Sequence, residues 1–357
     1  MTAPRTGPIR VLVVDDSATA RDLISALIAA DPRLTVCGQA EDGRAAVRQA
    51  QALRPDLVTM DLRMPEMDGL QAIAEIMDQC ATRILVVSDA ADAANAMAAV
   101  ARGALDATFK PDLDDGPAFT ARLRMLAGVP VIRHLRGLAE ARPVHRDLAP
   151  SASADRPGTR LIAIAVSTGG PQALARLLPA LPAGLQAPVL IAQHISDGFA
   201  QGMAQWLDTL CALRVAVARD GEALLPGRVY LADPATHLTL APGNLIHLSP
   251  REPGDIYRPS CDRLLNSVAM AGPLAIGVIL TGMGRDGAQG MATIAAAGGT
   301  TLAQDEASSV VFGMNREAIL AGGVQRVLPL DAIAGELTRL AGVATSPVIK
   351  RADGARA

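Results

Sequence analysis

Short, predominantly apolar runs alternate along this chain with segments that have helical spacing. The clearest runs are residues 9–14, 55–60, 84–87, 161–166, 188–195 and 274–280. Runs of this length and apolarity are typical of strands that are buried on both faces of a parallel sheet. The alternation predicts an α/β chain with two doubly wound parallel sheets. Several runs end on a polar side chain, and these side chains are the candidates for chemistry.

One serine lies where a buried strand enters a glycine turn. The run LIAIAV is followed at once by Ser167, Thr168, Gly169 and Gly170, and Pro171 then suits the first turn of a helix. Ser167 is therefore expected beside a helix N-terminus, where backbone N–H groups can hold an oxyanion. From this segment alone, a phosphate-binding or merely structural turn remains the alternative.

Two further strand ends supply a candidate base and a candidate carboxylate. One run ends at His194, and another opens into a glycine-rich loop that contains Asp286. The carboxyl ends of parallel strands line one edge of a sheet, so Ser167, His194 and Asp286 are expected to meet. A serine nucleophile needs a base, and the base needs a carboxylate to fix its tautomer. The order Ser, His, Asp and the missing first glycine of G-x-S-x-G exclude the α/β-hydrolase fold.

The other histidines are weaker candidates for the base. His134 and His145 fall in a Pro- and Arg-rich stretch with the composition of a linker. His237 and His247 fall in short strand-like runs, where a hydrogen-bonded structural histidine is the usual outcome. Asp286 is the preferred candidate for the carboxylate because its loop follows a buried strand. The alternatives are Asp220, Asp255, Asp262 and Asp305.

Three carboxylates in the first third indicate a cation site. Asp15 and Asp16 follow the first apolar run and Asp61 follows the second, while Ser88 and Lys110 end later segments. Carboxylates gathered at one edge repel each other unless a hard cation lies among them, and such oxygen ligands suit Mg²⁺. A nearby hydroxyl and ammonium would neutralise a phosphoryl group on one carboxylate. For either Asp15 or Asp16 alone, a solvated acidic loop is the simpler interpretation.

Composition narrows the functional classes. A chain of 357 residues can hold two domains, and with 50% hydrophobic but only 2% aromatic residues their cores must consist of Ala, Leu, Val and Ile. A net charge of −3 offers no basic patch, so we expect no nucleic-acid partner. The four cysteines lack metal-ligand spacing and suit a reducing cytoplasm. The absence of a signal peptide or spanning run predicts a cytoplasmic protein without direct membrane insertion.

Several motifs resemble two known domain families. VLVVDDS, DLRMPEMDGL, ILVVS and FKP resemble a response-regulator receiver domain. A second group of motifs resembles the catalytic domain of the chemotaxis protein-glutamate methylesterases. This group consists of the turn at Ser167, QHISDGF, RPSCD, ILTGMGRDGAQGM and AQDEASSVVFGM. The order of the two matches is that family's order. Each motif is moderately specific, and their combination is very specific.

The resemblance implies a fold for each part of the chain. We expect a flavodoxin-like receiver at residues 8–127 and a Rossmann-like methylesterase domain at residues 159–345. Residues 128–158 mix Pro, Arg, Ser and Ala and are expected to form a linker, and residues 346–357 a disordered tail.

The resemblance also implies roles for the candidate residues. Asp61 would be the phosphorylation site, and Ser88 and Lys110 would sense its phosphoryl group. The Mg²⁺ ligands would be Asp15, Asp16, Asp61 and the Arg63 carbonyl. The catalytic triad would be Ser167, His194 and Asp286, with an oxyanion hole and turn formed by Thr168, Gly169, Gly170 and Met283. The esterase reaction itself would need no cofactor.

Four positions depart from the family pattern. Arg63 stands two residues after the phosphoacceptor, where an acidic residue is common, and Asp89 adds a negative charge after Ser88. Val166 replaces a smaller residue, and Asn315 stands where proline usually follows Gly-Met. None of these is a group that performs the chemistry, although the first two put the lifetime of the acyl phosphate in question.

Together these features imply a phosphorylation-activated serine hydrolase. It would release methanol from glutamate methyl esters of methyl-accepting chemoreceptors in chemotactic adaptation, with a chemotaxis histidine kinase as phosphodonor. Whether receptor glutamines are also deamidated stays open. The alternative is a receiver-controlled, non-enzymatic signalling module whose Ser167 turn only binds a ligand such as a nucleotide. It is weakened because G-x-x-x-x-G-K-[ST] is absent and no acidic residue ends the next strand.

Overall fold

The computed structural model describes residues 7–89, 93–129 and 158–343. The described residues up to 129 form one α/β unit, here called the N-terminal domain, and those from 158 form the C-terminal domain. The expected linker at residues 128–158 lies almost entirely outside the described residues. The expected tail at 346–357 and the linker histidines His134 and His145 also lie outside them.

The N-terminal domain is a five-stranded parallel sheet. Its strands are β1 (Ile9–Val14), β2 (Leu34–Ala40), β3 (Leu57–Met60), β4 (Arg83–Ser88) and β5 (Asp106–Phe109). Its helices are α1 (Ala18–Ala29), α2 (Gly43–Leu53), α3 (Gly69–Gln79), α4 (Ala93–Ala101) and α5 (Gly116–Ala127). The strand order β2-β1-β3-β4-β5 is that of a flavodoxin-like doubly wound sheet, which confirms the predicted fold class.

The C-terminal domain contains a seven-stranded parallel sheet and a separate antiparallel hairpin. The sheet strands are β6 (Leu161–Val166), β7 (Val189–Gln193), β8 (Arg214–Val217), β9 (Arg228–Leu231), β12 (Ala275–Ile279), β13 (Thr300–Gln304) and β14 (Arg326–Leu328), and the hairpin consists of β10 (Thr236–Ala241) and β11 (Leu245–Pro250). The helices are α6 (Gly170–Leu177), α7 (Phe199–Leu210), α8 (Cys261–Val268), α9 (Ala288–Ala296), α10 (Met314–Leu320) and α11 (Leu330–Ala341). The sheet order is β14-β13-β12-β6-β7-β9-β8, so β6 lies between β12 and β7.

The predicted apolar runs account for the three strands that lead to the site. Every residue of β6, β7 and β12 is buried, as expected for strands covered on both faces. After β6 the chain turns through Gly169, whose φ of 78° is in the left-handed region, and Pro171 occupies the first turn of α6. No helix among the described residues is long and apolar enough to cross a bilayer.

The two domains pack against each other through α4 of the first and α6 and α7 of the second. The Gln172 side chain donates a hydrogen bond to the Ala104 carbonyl at 2.8 Å, and the Phe109 and Phe199 rings lie 4.7 Å apart between centroids. Val310 and Val311 of the C-terminal domain also pack against an N-terminal apolar cluster, which includes Phe119 and Leu123 of α5. The described parts of the domains are therefore in direct contact.

Candidate functional site

The predicted nucleophile, base and carboxylate lie at three neighbouring strand ends. Ser167 directly follows β6, His194 follows β7, and Asp286 lies in the loop between β12 and α9. Backbone hydrogen bonds join these ends: Ser167 N–H donates to the Thr281 carbonyl at 3.0 Å, and His194 N–H donates to the Val166 carbonyl at 3.0 Å. The fold thus brings the three side chains to one edge of the sheet.

His194 and Asp286 form a direct pair. Nε2 of the imidazole lies 2.7 Å from Oδ2 of the carboxylate, and the Asp286 side chain is only 2% exposed. A carboxylate accepts hydrogen bonds, so the contact assigns the imidazole proton to Nε2 and leaves Nδ1 as an acceptor. His194 therefore has the tautomer that a general base for Ser167 requires, and its Nδ1 has no hydrogen-bond partner among the described residues.

The N-terminus of α8 binds Asp286 from the other side. The N–H groups of Cys261 and Asp262 donate to its two carboxylate oxygens at 2.6 and 2.9 Å, and Ser260 Oγ donates at 3.2 Å. Burial alone would raise the pKa of Asp286, but the hydrogen bond from His194 and the electrostatic attraction of its ring, aided by these two N–H groups, outweigh burial and lower the pKa. Asp286 is therefore held as an anion.

The Ser167 turn is closely packed. Ser167 is 8% exposed, and an added Cβ on Gly282 would lie 2.7 Å from the Ser167 Cβ, so glycine is required there. Gln193 Nε2 and Gly170 N–H donate to the Ser167 carbonyl at 2.9 and 2.8 Å. No hydrogen bond joins the Ser167 hydroxyl to His194 in the described part of the chain. Catalytic hydrogen bonds are often long before substrate binds.

Backbone N–H groups near Ser167 remain available to bind an oxyanion. Within the described residues, the N–H groups of Thr168 and Met283 donate no hydrogen bond, whereas the Thr168 carbonyl is tied to the Thr281 hydroxyl at 2.9 Å. The Met283 side chain is half-exposed. An added Cβ on Gly169 would lie 2.4 Å from the Val310 Cβ, so the turn is covered by the segment that packs against the N-terminal domain.

Asn315, one of the departures from the family pattern, has a structural role. It is fully buried at the start of α10, and its Nδ2 donates to the Gln304 carbonyl at 2.8 Å and to the Ile279 carbonyl at 3.3 Å. Gln304 in turn accepts the Thr281 N–H at 2.8 Å. The asparagine therefore joins the ends of β12 and β13 behind the Ser167 turn. Val166 is fully buried within β6.

The predicted carboxylates of the N-terminal domain also lie together. Oxygens of Asp15, Asp16 and Asp61 are within 4.8 Å of one another, and Lys110 Nζ lies 2.9 Å from Asp15 and 3.1 Å from Asp61. Burial, followed by the charge of Asp15, raises the pKa of Asp61 to about 6 against the opposing effect of Lys110. A cleft of about 530 Å³ opens over this cluster. The donor set is hard and oxygen-rich, as Mg²⁺ requires.

Two further features complete this second site. The Ser88 hydroxyl is buried and has no hydrogen-bond partner among the described residues. Arg63 and Asp89, the other departures from the family pattern, lie 3.9 Å apart between Nη2 and Oδ2, and Asp89 is 3.8 Å from Lys110 Nζ. The additional negative charge beside the cluster is therefore offset by cations.

The alternatives to Asp286 have other contacts. Asp262 accepts the Gly290 N–H at 2.7 Å, and Asp305 accepts hydrogen bonds from Ser308. Asp220 lies 3.3 Å from the exposed His247.

Sequence reasoning missed one contact on the His194 ring and one contact that holds the neighbouring loop. The Tyr257 ring stacks on the His194 imidazole, with centroids 5.2 Å apart and an angle of 12° between the rings. Asp255, treated only as an alternative carboxylate, is bound to the buried His237 at 2.8 Å. No periodic signal in the sequence marks either contact. The start of α8 could have been predicted, because the serine of RPSCD precedes a helical segment and is a typical N-cap residue.

Comparison with known proteins gives consistent matches to both domains. A family model described as CheB methylesterase matches residues 162–337, and one described as response regulator receiver domain matches residues 11–132. Protein-glutamate methylesterase/protein-glutamine glutaminase 3 of Paramagnetospirillum magneticum is 48% identical, covering 95% of this chain and 98% of its own. A protein-glutamate methylesterase/protein-glutamine glutaminase of Anaeromyxobacter dehalogenans is also 48% identical, covering 93% and 97%. The crystal structure of the Thermotoga maritima CheB methylesterase catalytic domain is 37% identical, covers 51% of this chain and 98% of that chain, and has a TM-score of 0.49.

Proposed function

Because the chain belongs to the CheB methylesterase family and has a receiver domain before its catalytic domain, we propose that it hydrolyses glutamate methyl esters on chemoreceptors. The observation that supports this most strongly is the 2.7 Å contact between His194 and Asp286 beside the Ser167 turn. A turn that only binds a ligand needs no base with a fixed tautomer next to its serine. The activity serves chemotactic adaptation, in which receptor methylation is reset.

Ester cleavage begins with proton transfer to His194. Nδ1 of the imidazole takes the proton of the Ser167 hydroxyl as Oγ attacks the ester carbonyl carbon, and Asp286 stabilises the imidazolium that forms. The negative charge on the carbonyl oxygen is held by the N–H groups of Thr168 and Met283. When the C–O bond to the methoxy group breaks, the imidazolium donates its proton to that oxygen and methanol leaves.

Water completes the reaction by the reverse sequence of proton transfers. His194 takes a proton from water, the resulting hydroxide attacks the acyl group on Ser167, and the serine Oγ leaves with the proton from His194. The product is a glutamate carboxylate. The Cys261 thiol near His194 does not compete as a nucleophile, because burial and the neighbouring Asp286 raise its pKa well above the ordinary value.

The names of the relatives include a glutaminase activity. The same steps on a glutamine side chain would transfer the imidazolium proton to nitrogen and release ammonia. We therefore include receptor glutamines as second substrates, and ammonia release from unmodified receptor is the measurement that checks it.

Asp61 is proposed as the phosphoacceptor of the receiver. Receiver domains are phosphorylated in a Mg²⁺-dependent reaction, and the repelling carboxylates of Asp15, Asp16 and Asp61 fit that cation. Bound Mg²⁺ would supply positive charge where the phosphoryl group meets Asp61. The Ser88 hydroxyl, which has no partner among the described residues, then donates to a phosphoryl oxygen, and Lys110 pairs with another. A histidine kinase is the expected donor.

We propose that the receiver covers the catalytic cleft until Asp61 is phosphorylated. The segments after Ser167 and after His194 both contact the receiver, through Gln172 and Phe199 respectively. Phe109, the partner of Phe199, directly precedes Lys110. Movement of Lys110 toward a phosphoryl group would therefore displace Phe109 and weaken the contact. A protein substrate could then reach Ser167.

Methanol release tests the whole proposal. The full-length chain should release methanol from methylated receptor, and a small acyl phosphate with Mg²⁺ should increase the rate. Asp61→Ala should keep the low basal rate and lose the response. If no methanol appears under either condition, the chain is the non-enzymatic module.

A further inference from the structure

His237 is a buried histidine that takes no part in the proposed reaction. It lies on β10 with no exposed surface, and both of its ring nitrogens are bound. Nε2 lies 2.8 Å from Asp255 Oδ2, and Nδ1 accepts the Ser260 N–H at 3.0 Å. Because Nδ1 is an acceptor, the contacts assign a neutral ring with its proton on Nε2. His237 thus joins the two ends of the loop formed by residues 255–260, here called the clamp loop.

The clamp loop contacts both members of the His194–Asp286 pair. Tyr257, in the middle of the loop, stacks on the His194 imidazole. At the end of the loop, Ser260 Oγ donates to Asp286 Oδ1 at 3.2 Å, and the next two N–H groups hold the same carboxylate. The position of this loop therefore sets the positions of the base and of its orienting anion.

The two attachments of the clamp loop depend on His237 to different degrees. Asp255 is further held by the Glu252 N–H at 2.7 Å and by Arg263 at 3.0 Å, so its position does not rest on the histidine alone. The Ser260 N–H, by contrast, has His237 Nδ1 as its only acceptor among the described residues. Removing the imidazole leaves this donor unsatisfied next to the groups that bind Asp286.

We propose that His237 is a positioning residue that fixes the clamp loop and thereby aligns His194 with Asp286 for catalysis. This inference rests on the proposed ester hydrolysis at Ser167. His237 is completely buried, so substrate does not contact it, and its loss acts on the chemical step more than on binding. A misalignment of about 1 Å in such a site costs about 100-fold in rate.

The test compares His237→Ala, His237→Gln and His247→Ala in the full-length chain with methylated receptor. We expect kcat to fall about 10- to 100-fold in His237→Ala with KM within about twofold of the wild type. His237→Gln should recover most of the loss, because its amide can donate to Asp255 and accept from Ser260. His247→Ala removes an exposed histidine of the adjacent strand β11 and should leave both constants unchanged.

Two further measurements do not depend on receptor hydrolysis. Labelling of Ser167 by a fluorophosphonate should slow in parallel with kcat, and the NMR signal of the proton between His194 and Asp286 should shift or broaden in His237→Ala. Asp255→Asn should change both in the same direction, and it provides a second variant if His237→Ala does not fold.

The outcomes separate this inference from the proposed function. A wild-type chain that releases no methanol contradicts the proposed hydrolysis, while the NMR comparison still decides whether His237 positions His194. A folded His237→Ala protein with wild-type kcat, labelling rate and His194 proton signal overturns the positioning role. Lower stability with unchanged kcat for the folded fraction also overturns it, because that is the result of a purely structural residue.

Discussion

Both candidate sites occupy the carboxyl ends of parallel strands, but their polar groups are satisfied to different extents. In the C-terminal domain, both oxygens of Asp286 accept hydrogen bonds, and the pKa of this buried carboxyl group is lowered. In the N-terminal domain, burial and Asp15 raise the pKa of Asp61 to about 6, and the Ser88 hydroxyl has no partner among the described residues.

This difference corresponds to the two activities. A hydrolase gains most when its dipoles are already oriented toward the charge that develops during the reaction. A switch needs groups whose interactions change when a ligand or modification arrives, since only a differential interaction can shift an equilibrium. The unsatisfied groups around Asp61 can gain interactions when a ligand or a phosphoryl group arrives. The hydrogen-bond network around Asp286 is already complete and keeps its geometry.

The largest expected effect on methanol release comes from removing the nucleophile. Ser167→Ala should reduce methanol release by about 10⁴- to 10⁶-fold, because among the described residues no other nucleophile lies beside His194 in a reactive form. Circular dichroism should show an intact fold, and Ser25→Ala on α1 serves as a control with normal activity. Near-normal methanol release by Ser167→Ala would contradict the assignment of Ser167 as the nucleophile of this site.

The second prediction separates the base from the carboxylate. His194→Ala removes the proton acceptor, whereas Asp286→Asn leaves an imidazole that is less well oriented and no longer paired with an anion. Asp286→Asn should therefore retain about ten to a hundred times more activity than His194→Ala in the same methanol assay. Fully active Asp286→Asn would show that the preorganised carboxylate is not needed.

The third prediction concerns the unsatisfied site. The pKa of Asp61 in the folded state, about 6, is above the ordinary value of 3.8 for an aspartate, so the folded protein binds the proton more tightly than the unfolded chain does. Stability is therefore lost as the pH rises from about 4 to about 6. At pH 7.5 without metal, Asp61→Asn should be more stable than wild type by about 1–2 kcal/mol, a figure reduced for solvent access through the cleft.

Thermal melting of the full-length chain checks the predicted stabilisation by Asp61→Asn. The stabilisation by Asp61→Asn should shrink below pH 4, and Mg²⁺ should raise the melting temperature of the wild type more than that of the variant. A variant that is less stable than wild type at pH 7.5 would show that Asp61 is already satisfied, and the contrast between the two sites would disappear.

The smallest expected effect comes from a substitution at the contact between the two domains. Gln172→Ala removes the hydrogen bond to Ala104, and we expect this bond to contribute about 0.5–1.5 kcal/mol to the proposed covered state. Basal methanol release should rise about 2- to 10-fold, and the further increase on phosphorylation should become smaller. Gln289→Ala, at an exposed position on α9, is the matched control. Lower basal activity in Gln172→Ala would indicate that the receiver activates the catalytic domain.

The sequence predicted the parts of the site that depend on strand ends. Ser167, His194 and Asp286 each follow an apolar run, and parallel strands bring such ends to one edge without further information. The same reasoning placed Asp15 and Asp61 together. Their proposed roles stay predictions until the variants are measured.

The contacts around these residues could not be predicted, because they join segments that have no common periodicity. Tyr257 reaches His194 from an irregular loop, and His237 reaches that loop from a hairpin outside the main sheet. Arg63 and Asp89 were treated as independent departures, yet they lie close enough to form an ion pair. Such pairings depend on how whole elements pack, which propensity and spacing do not specify.

The central position of β6 has a consequence for synthesis on the ribosome. Its two neighbours are β7, which follows closely, and β12, which is made more than a hundred residues later. The N-terminal sheet, by contrast, is complete once β5 has emerged, and domains near the start of a chain fold first. The catalytic sheet therefore closes beside a receiver that is already folded. The newly made catalytic domain completes its sheet with its receiver already available for contact through α4.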